Sequence, residues 1–251
     1  MAVESGPQLA ADVGMLTPQL PCCTGHRNSG FARAFRRDKR RASILSDKTE
    51  RIDMNGRLIG QSALVTGAGR GFGRSIALRL AADGAAVTLV SRSAGQLDAV
   101  AAEIRTAGGK AIVAACDVTD PAQVKAACDA ARQTHGAPSL LVSNAGVPWP
   151  FGPVWETDID KWWQAEAVHI RAPYLFMHEL MPAMIAAKSG RVICISAIAT
   201  RLTLPFLSAY SVGKAALNKL VEMAAEEARP HNVQVFAVEP GFVITQLAED
   251  T

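Results

Sequence analysis

From residue 60 onward, short apolar runs alternate with longer segments whose apolar residues recur every three or four positions. The runs at 63–65, 86–90, 110–115, 140–143, 191–196 and 233–238 predict buried strands. Between them the spacing predicts helices. One follows a glycine turn, with Ile76, Ala77, Leu80 and Ala81 sharing a face. A second covers 96–107 and stops at Gly108-Gly109, and a third opens with Asp120 as its cap and Pro121 in its first position. A long helical region spans 159–188, and a last helix carries Tyr210 and runs to about Arg229. Regular alternation of strand and helix implies a parallel sheet covered on both faces, hence one α/β domain over residues 57–251.

Residues 1–56 show no sustained period. Pro7, Pro18, Pro21, Gly25 and Gly30 interrupt their apolar content, and the stretch is expected to be disordered. Residues 1–53 hold nine basic and six acidic side chains, while 54–251 holds seventeen of each, so the net charge of +3 sits in the tail. The cluster Arg36-Arg37-Asp38-Lys39-Arg40-Arg41 is either solvated tail, sequence ahead of a start at Met54, or a localisation or phosphate-binding patch. The balanced remainder has no electrostatic claim on nucleic acid, so none is expected as a partner.

No apolar run reaches the roughly eighteen residues of a membrane span. No apolar core follows a basic start, as a secretory signal requires. A cytoplasmic protein without a membrane partner is expected. The five cysteines (Cys22, Cys23, Cys116, Cys128, Cys194) have no zinc or C-x-x-C spacing, which predicts reduced thiols and no metal.

The first chemistry lies in Ser62-Ala63-Leu64-Val65-Thr66-Gly67-Ala68-Gly69-Arg70-Gly71-Phe72-Gly73. Strand, glycine turn and helix start follow one another there. Gly67, Gly71 and Gly73 let the backbone turn tightly and approach a pyrophosphate, which a helix N-terminus then holds. The second chemistry is Ser208-Ala209-Tyr210-Ser211-Val212-Gly213-Lys214. Tyr210 and Lys214, four apart, project from one helical face. With these two motifs the chain, from about Gly60 to Thr245, resembles the classical short-chain dehydrogenase/reductase family.

That resemblance implies a Rossmann-type doubly wound sheet and a nicotinamide cofactor. The cofactor would lie against Thr66, Gly67, Arg70, Gly71, Phe72 and Gly73, with Asp117 and Val118 at its adenine and Asn144-Ala145-Gly146 beneath it. Tyr210 and Lys214 would also touch it, as would Pro240, Gly241, Val243 and Thr245 of the segment similar to the family's Pro-Gly-x-Val-x-Thr. Asp117 has a second reading as a turn cap. An acidic residue at the end of strand two would select NAD through the ribose hydroxyls. Here the strand ends Leu89-Val90-Ser91-Arg92, and Arg92, with Arg70 in the turn, suits a 2′-phosphate. NADP(H) is therefore expected over NAD(H).

Carbonyl reduction needs a proton for the developing alkoxide. A free tyrosine has a pKa of roughly 10. Tyr210 is the expected general acid/base, with Lys214 and the cofactor's positive ring lowering its pKa and Lys214 donating to the ribose. Two positions depart from the family pattern. Its carbonyl-polarising serine lies thirteen before the tyrosine, where this chain has Ala197, with Ser196 adjacent. In extended backbone the two side chains point to opposite faces, so Ser196 replaces the serine only if a local bend turns it inward. His169 stands where the family's Val-Asn-Leu has a water-holding asparagine, and either relays protons itself or perturbs the relay.

The C-terminus is a third departure: the chain ends at Thr251, so the family's substrate lid and seventh strand are expected to be missing, with strand six as an exposed edge. The leading expectation is an oxidoreductase acting between a carbonyl and a secondary alcohol. The alternatives are a nucleotide-binding relative impaired in catalysis and, on the basic tail alone, a nucleic-acid-associated protein. Pro148, Trp149, Phe151, Trp155, Leu202 and Phe206 either line an apolar substrate pocket or pack loops. The resemblance also implies a homodimer through the helices at 159–188 and 210–229. Trp162, Trp163, Phe176 and Met177 are expected to supply the apolar surface.

Overall fold

The computed structural model describes residues 56–241. The basic tail, Cys22, Cys23, Met54, Val243, Thr245 and the expected loss of a lid lie outside the described residues. Six parallel strands form one sheet in the order β3-β2-β1-β4-β5-β6. They are β1 (Ser62–Thr66), β2 (Ala86–Ser91), β3 (Lys110–Ala115), β4 (Leu140–Ser143), β5 (Gly190–Ile195) and β6 (Val233–Val238). The helices are α1 (Gly71–Ala82), α2 (Ala94–Thr106), α3 (Pro121–His135), α4 (Ile159–Glu166), α5 (Ala172–Ala187) and α6 (Ser208–Ala228). The chain winds outward from β1 to β3, then returns to β4 on the other side. The expected doubly wound sheet is thus present, with its switch point between β1 and β4.

The two-residue period of the strands divides the core. Leu64, Leu141 and Val192 face a cluster shared with α3, α5 and α6. Ala63, Val65, Leu140 and Val142 face the opposite cluster, with α1 and α2. Every residue of β1 is buried, which is why its sequence reads as an unbroken apolar run rather than an alternation. Large side chains such as Leu64, Leu89 and Phe176 are fully enclosed. Each such side chain stabilises the fold by about 1.5–3 kcal/mol.

Several boundaries match the spacing, including β3, β4, β6 and the start of α3. Asp120 caps α3 by accepting from the N–H groups of Ala122 (2.8 Å) and Gln123 (3.2 Å). Two features differ. The long helical region is broken by a π-helical turn at Ala167–Arg171, between α4 and α5. Strand β5 ends at Ile195, so Ser196 lies one residue past it, although its N–H still donates to the Val238 carbonyl at 2.8 Å. Phe176 and Met177 are corrected from surface to core: both are buried, because α5 packs on β4 and β5 and also against α3. No helix among the described residues is long and apolar enough to cross a membrane.

Candidate active site

The glycine turn joins β1 to α1 at the carboxyl end of the sheet. Gly67 and Gly71 have φ of +64° and +54°, a region that disfavours side chains. A Cβ at Gly73 would sit 2.1 Å from the Gly67 carbonyl oxygen, so only glycine lets the helix lie this close to the turn. Above Gly71 there is open space. The first turn of α1 has no side-chain cap hydrogen bond and carries no carboxylate of its own, so its amide dipoles favour an anion there. This cradle fits a dinucleotide pyrophosphate.

Asn144 ties the turn to β4. Its side-chain amide donates to the carbonyls of Thr66 (3.0 Å) and Gly67 (3.4 Å). The Thr66 hydroxyl in return accepts from the N–H groups of Asn144 (2.9 Å) and Ala145 (3.0 Å). At the end of β2 the Ser91 hydroxyl is buried without a hydrogen-bond partner, and Arg92 and Arg70 are exposed. Asp117 acts as a turn cap, its Oδ1 accepting from the Thr119 N–H (2.9 Å) and hydroxyl (2.8 Å), while Val118 beside it is buried.

Tyr210 and Lys214 stand one turn apart on α6, at the same end of the sheet. Lys214 is 4% exposed, and its Nζ donates to the Ile195 carbonyl at 2.7 Å. Burial brings its pKa down to about 8. The Lys214 nitrogen lies 5.9 Å from the centre of the Tyr210 ring. Burial pushes the Tyr210 phenol above its ordinary value. His169 is brought to this centre by the π turn, with its ring edge-on to Tyr210 at 5.5 Å between centroids. Its Nε2 accepts from the Val147 N–H at 3.2 Å, and burial beside Lys214 drives its pKa to about 3.

Ser196 is buried with an unpartnered hydroxyl. Ala197 has extended backbone (φ −154°, ψ 153°) and opens the short helical turn Ile198–Thr200. Glu239, just before Pro240-Gly241, pins that turn: it accepts from the Thr200 hydroxyl (3.1 Å) and the Asn218 amide (3.3 Å) and pairs with Arg201 (3.1 Å). Phe151, Trp155, Leu202 and Phe206 are exposed, whereas Pro148 and Trp149 are half-buried. The Gly152 N–H donates to the Phe206 carbonyl at 3.0 Å, which draws the two apolar loops together.

Sequence reasoning missed Glu166 and Gly213. Glu166 is 3% exposed and lies beside His169. Its signal was a carboxylate three residues before His169 on an otherwise apolar face. Cys116, Cys128 and Cys194 are free and buried, and burial raises their thiols, so they are poor nucleophiles.

The model for the short chain dehydrogenase family matches residues 61–251. A short chain dehydrogenase of Pseudocercospora fijiensis is 35% identical over 194 residues, covering 76% of this chain and 62% of its own length. A solved metagenomic short-chain oxidoreductase in complex with NADP is 43% identical, with a TM-score of 0.71, covering 74% of this chain and 84% of its own. An NAD+-bound xylitol dehydrogenase is 30% identical, with a TM-score of 0.72, covering 74% and 72%. The glycine cradle, the Asn144 tie and the Tyr210–Lys214 pair occupy one end of a sheet shared with these proteins, and the chain belongs to the short-chain dehydrogenase/reductase family.

Proposed function

We propose that this protein is an NADP(H)-dependent oxidoreductase that interconverts an apolar carbonyl compound and its secondary alcohol. The observation that carries the reading is the convergence of Tyr210, Lys214 and the glycine cradle at the carboxyl end of the sheet, where α/β folds of this order bind ligands. A bound nicotinamide supplies or accepts the hydride. Tyr210 gives its phenolic proton to the developing alkoxide, or takes one from the alcohol. The Lys214 ammonium stabilises the phenolate. Gly67, Gly71, Gly73 and the start of α1 would hold the pyrophosphate, with Asp117 and Val118 near the adenine and Pro240, Gly241, Val243 and Thr245 near the nicotinamide. The apolar loops carrying Phe151, Leu202 and Phe206 support an apolar substrate.

Preference for NADP(H) is supported by Arg92 following β2, by Arg70 in the turn, and by the absence of a carboxylate at Ser91. It is tested by comparing kcat/KM for NADPH and NADH over a panel of carbonyl compounds. NADPH is expected to win by at least about tenfold, the scale of one charge-assisted contact. Arg92→Ala should erase that margin. Equal efficiency, or a preference for NADH, overturns it.

A second reading rests on Ala197, which offers no hydroxyl to the substrate carbonyl. It is a relative that binds the nucleotide yet turns over slowly. NADPH binding without turnover across the panel would favour it.

A further inference from the structure

Glu166 ends α4 and His169 lies in the π turn that follows, and both are buried, at 3% and 1% exposure. Both oxygens of Glu166 and the Nδ1 of His169 lack hydrogen-bond partners. Because Nε2 accepts from Val147, the neutral imidazole carries its proton on Nδ1. A buried acceptor and a buried donor are thus both unsatisfied. They also share one place: a Cβ at Gly213 would lie 2.7 Å from Nδ1 and 2.9 Å from Glu166 Oε2. Glycine at 213 lets both atoms close on the same point of the α6 backbone, where a small side-chain rotation joins the two. Leaving each alone would be costly.

We propose that Glu166 is a positioning residue of this site, forming with the Nδ1 side of His169 a buried acid–imidazole pair that holds and moves a proton behind Lys214 and Tyr210. The proposal rests on the oxidoreductase reading above. Among the described residues, Lys214 and Tyr210 of α6 lie beside His169, the Val147 N–H of the loop after β4 donates to it, and Cys194 of β5 acts on Lys214. Burial alone raises the Glu166 carboxyl, to about 7, while His169 stays neutral.

A Cβ built on Gly146 would lie 3.6 Å from Lys214 Nζ and 3.8 Å from His169 Nε2, so both nitrogens face the same side of that backbone, where water can connect them. In alcohol oxidation the excess proton leaves Nζ and passes through water to Nε2, whose lone pair gives up the Val147 N–H to form the new N–H bond. The Nδ1–H bond breaks as the Glu166 carboxylate becomes a carboxylic acid. In carbonyl reduction each bond change runs in reverse. The imidazole passes the proton by exchanging tautomers and never has to persist as a cation.

The pair is read directly by infrared difference spectroscopy across pH and by 15N NMR of the His169 ring. A protonated carboxyl band titrating at about pH 7 is expected in the native protein and absent in Glu166→Gln, with His169 holding an Nδ1 proton and sensing the same midpoint. A native protein with no such band, or with His169 protonated on Nε2, overturns the pair whatever its turnover. Where Glu166→Gln does not fold, His169→Asn should move the band's midpoint upward, and an unmoved midpoint overturns the pair. In turnover, Glu166→Gln should lower kcat and flatten its pH profile with KM unchanged, and Glu166→Asp should restore part of the profile. An unaltered profile overturns the positioning role. No turnover by the native protein, with the band present, overturns the oxidoreductase reading and leaves the acid–imidazole pair standing.

Discussion

Ala197 is the substitution with the sharpest consequence for chemistry. If Ser196, buried past the end of β5, does not reach the substrate carbonyl, the proposed mechanism asks Tyr210 both to hydrogen-bond the substrate oxygen and to protonate it. Ala197→Ser is expected to raise kcat about ten- to a thousandfold, the scale of one oxyanion contact, with little change in NADPH affinity. Steady-state kinetics and a binding titration check both halves. Should Ala197→Ser have no effect while Ser196→Ala is severely impaired, Ser196 fills the role instead. Tyr210→Phe should abolish turnover in either background and leave NADPH binding intact.

The glycine turn and the π turn make comparable demands on their elements. Gly73→Ala would push a methyl against the Gly67 carbonyl, with the Asn144 amide nitrogen only 2.6 Å away. Neither neighbour is the free end of a flexible chain. Helix α1 would have to shift, at about 1–3 kcal/mol or more, and the pyrophosphate cradle would open. Denaturant melts and NADPH titration should both record the loss, and an unchanged Kd would contradict the cradle. Gly213→Ala strikes the contact between α6 and the π turn, where His169 and Glu166 already occupy the space. A destabilisation of similar size is expected there, together with an altered His169 environment by NMR.

Buried Glu166, His169 and Lys214 all make stability depend on pH; His169, lowered from 6.5 to about 3, adds stability that rises with pH between those values. Glu166 is raised from 4.5 to about 7, so between those values the folded chain binds more protons than the unfolded one. Its contribution is fully present below pH 4.5 and is lost as pH rises through about 7. Lys214 is lowered from 10.5 to about 8, so the folded chain binds fewer protons there, and stability recovers as pH rises across that window. Glu166→Gln should therefore gain on the native protein between pH 5 and pH 8, by on the order of 2–3 kcal/mol, in denaturant melts at the two values. Equal differences at both values would refute the assignment. Exposed Ile159, Trp163 and Tyr174 on α4 and α5, with Val212 and Met223 on α6, support the proposal of a homodimer through these helices. Sedimentation should then show concentration-dependent association, weakened by Trp163→Glu; a concentration-independent monomer refutes it.

The strand–helix alternation, the Asp120-Pro121 helix start and the β3, β4 and β6 boundaries were legible in the chain, because they rest on local period and capping chemistry. So were the glycine turn and the Tyr210–Lys214 pair, whose spacing of four places both on one helical face wherever the helix lies. Other features were settled only by packing. The π turn has no periodic signature, yet it brings His169 to the face of Tyr210. The burial of Phe176 and Met177 depends on α3 closing over α5, and their apolar character alone did not distinguish core from interface. Glu166 reads from sequence as an ordinary carboxylate, and only the enclosure made by α4, α6 and Gly213 removes its water. The acceptor that Lys214 finds was likewise settled by packing. Spacing along one helix could place the lysine near the phenol, but the Ile195 carbonyl that takes its hydrogen bond comes from a strand nineteen residues earlier.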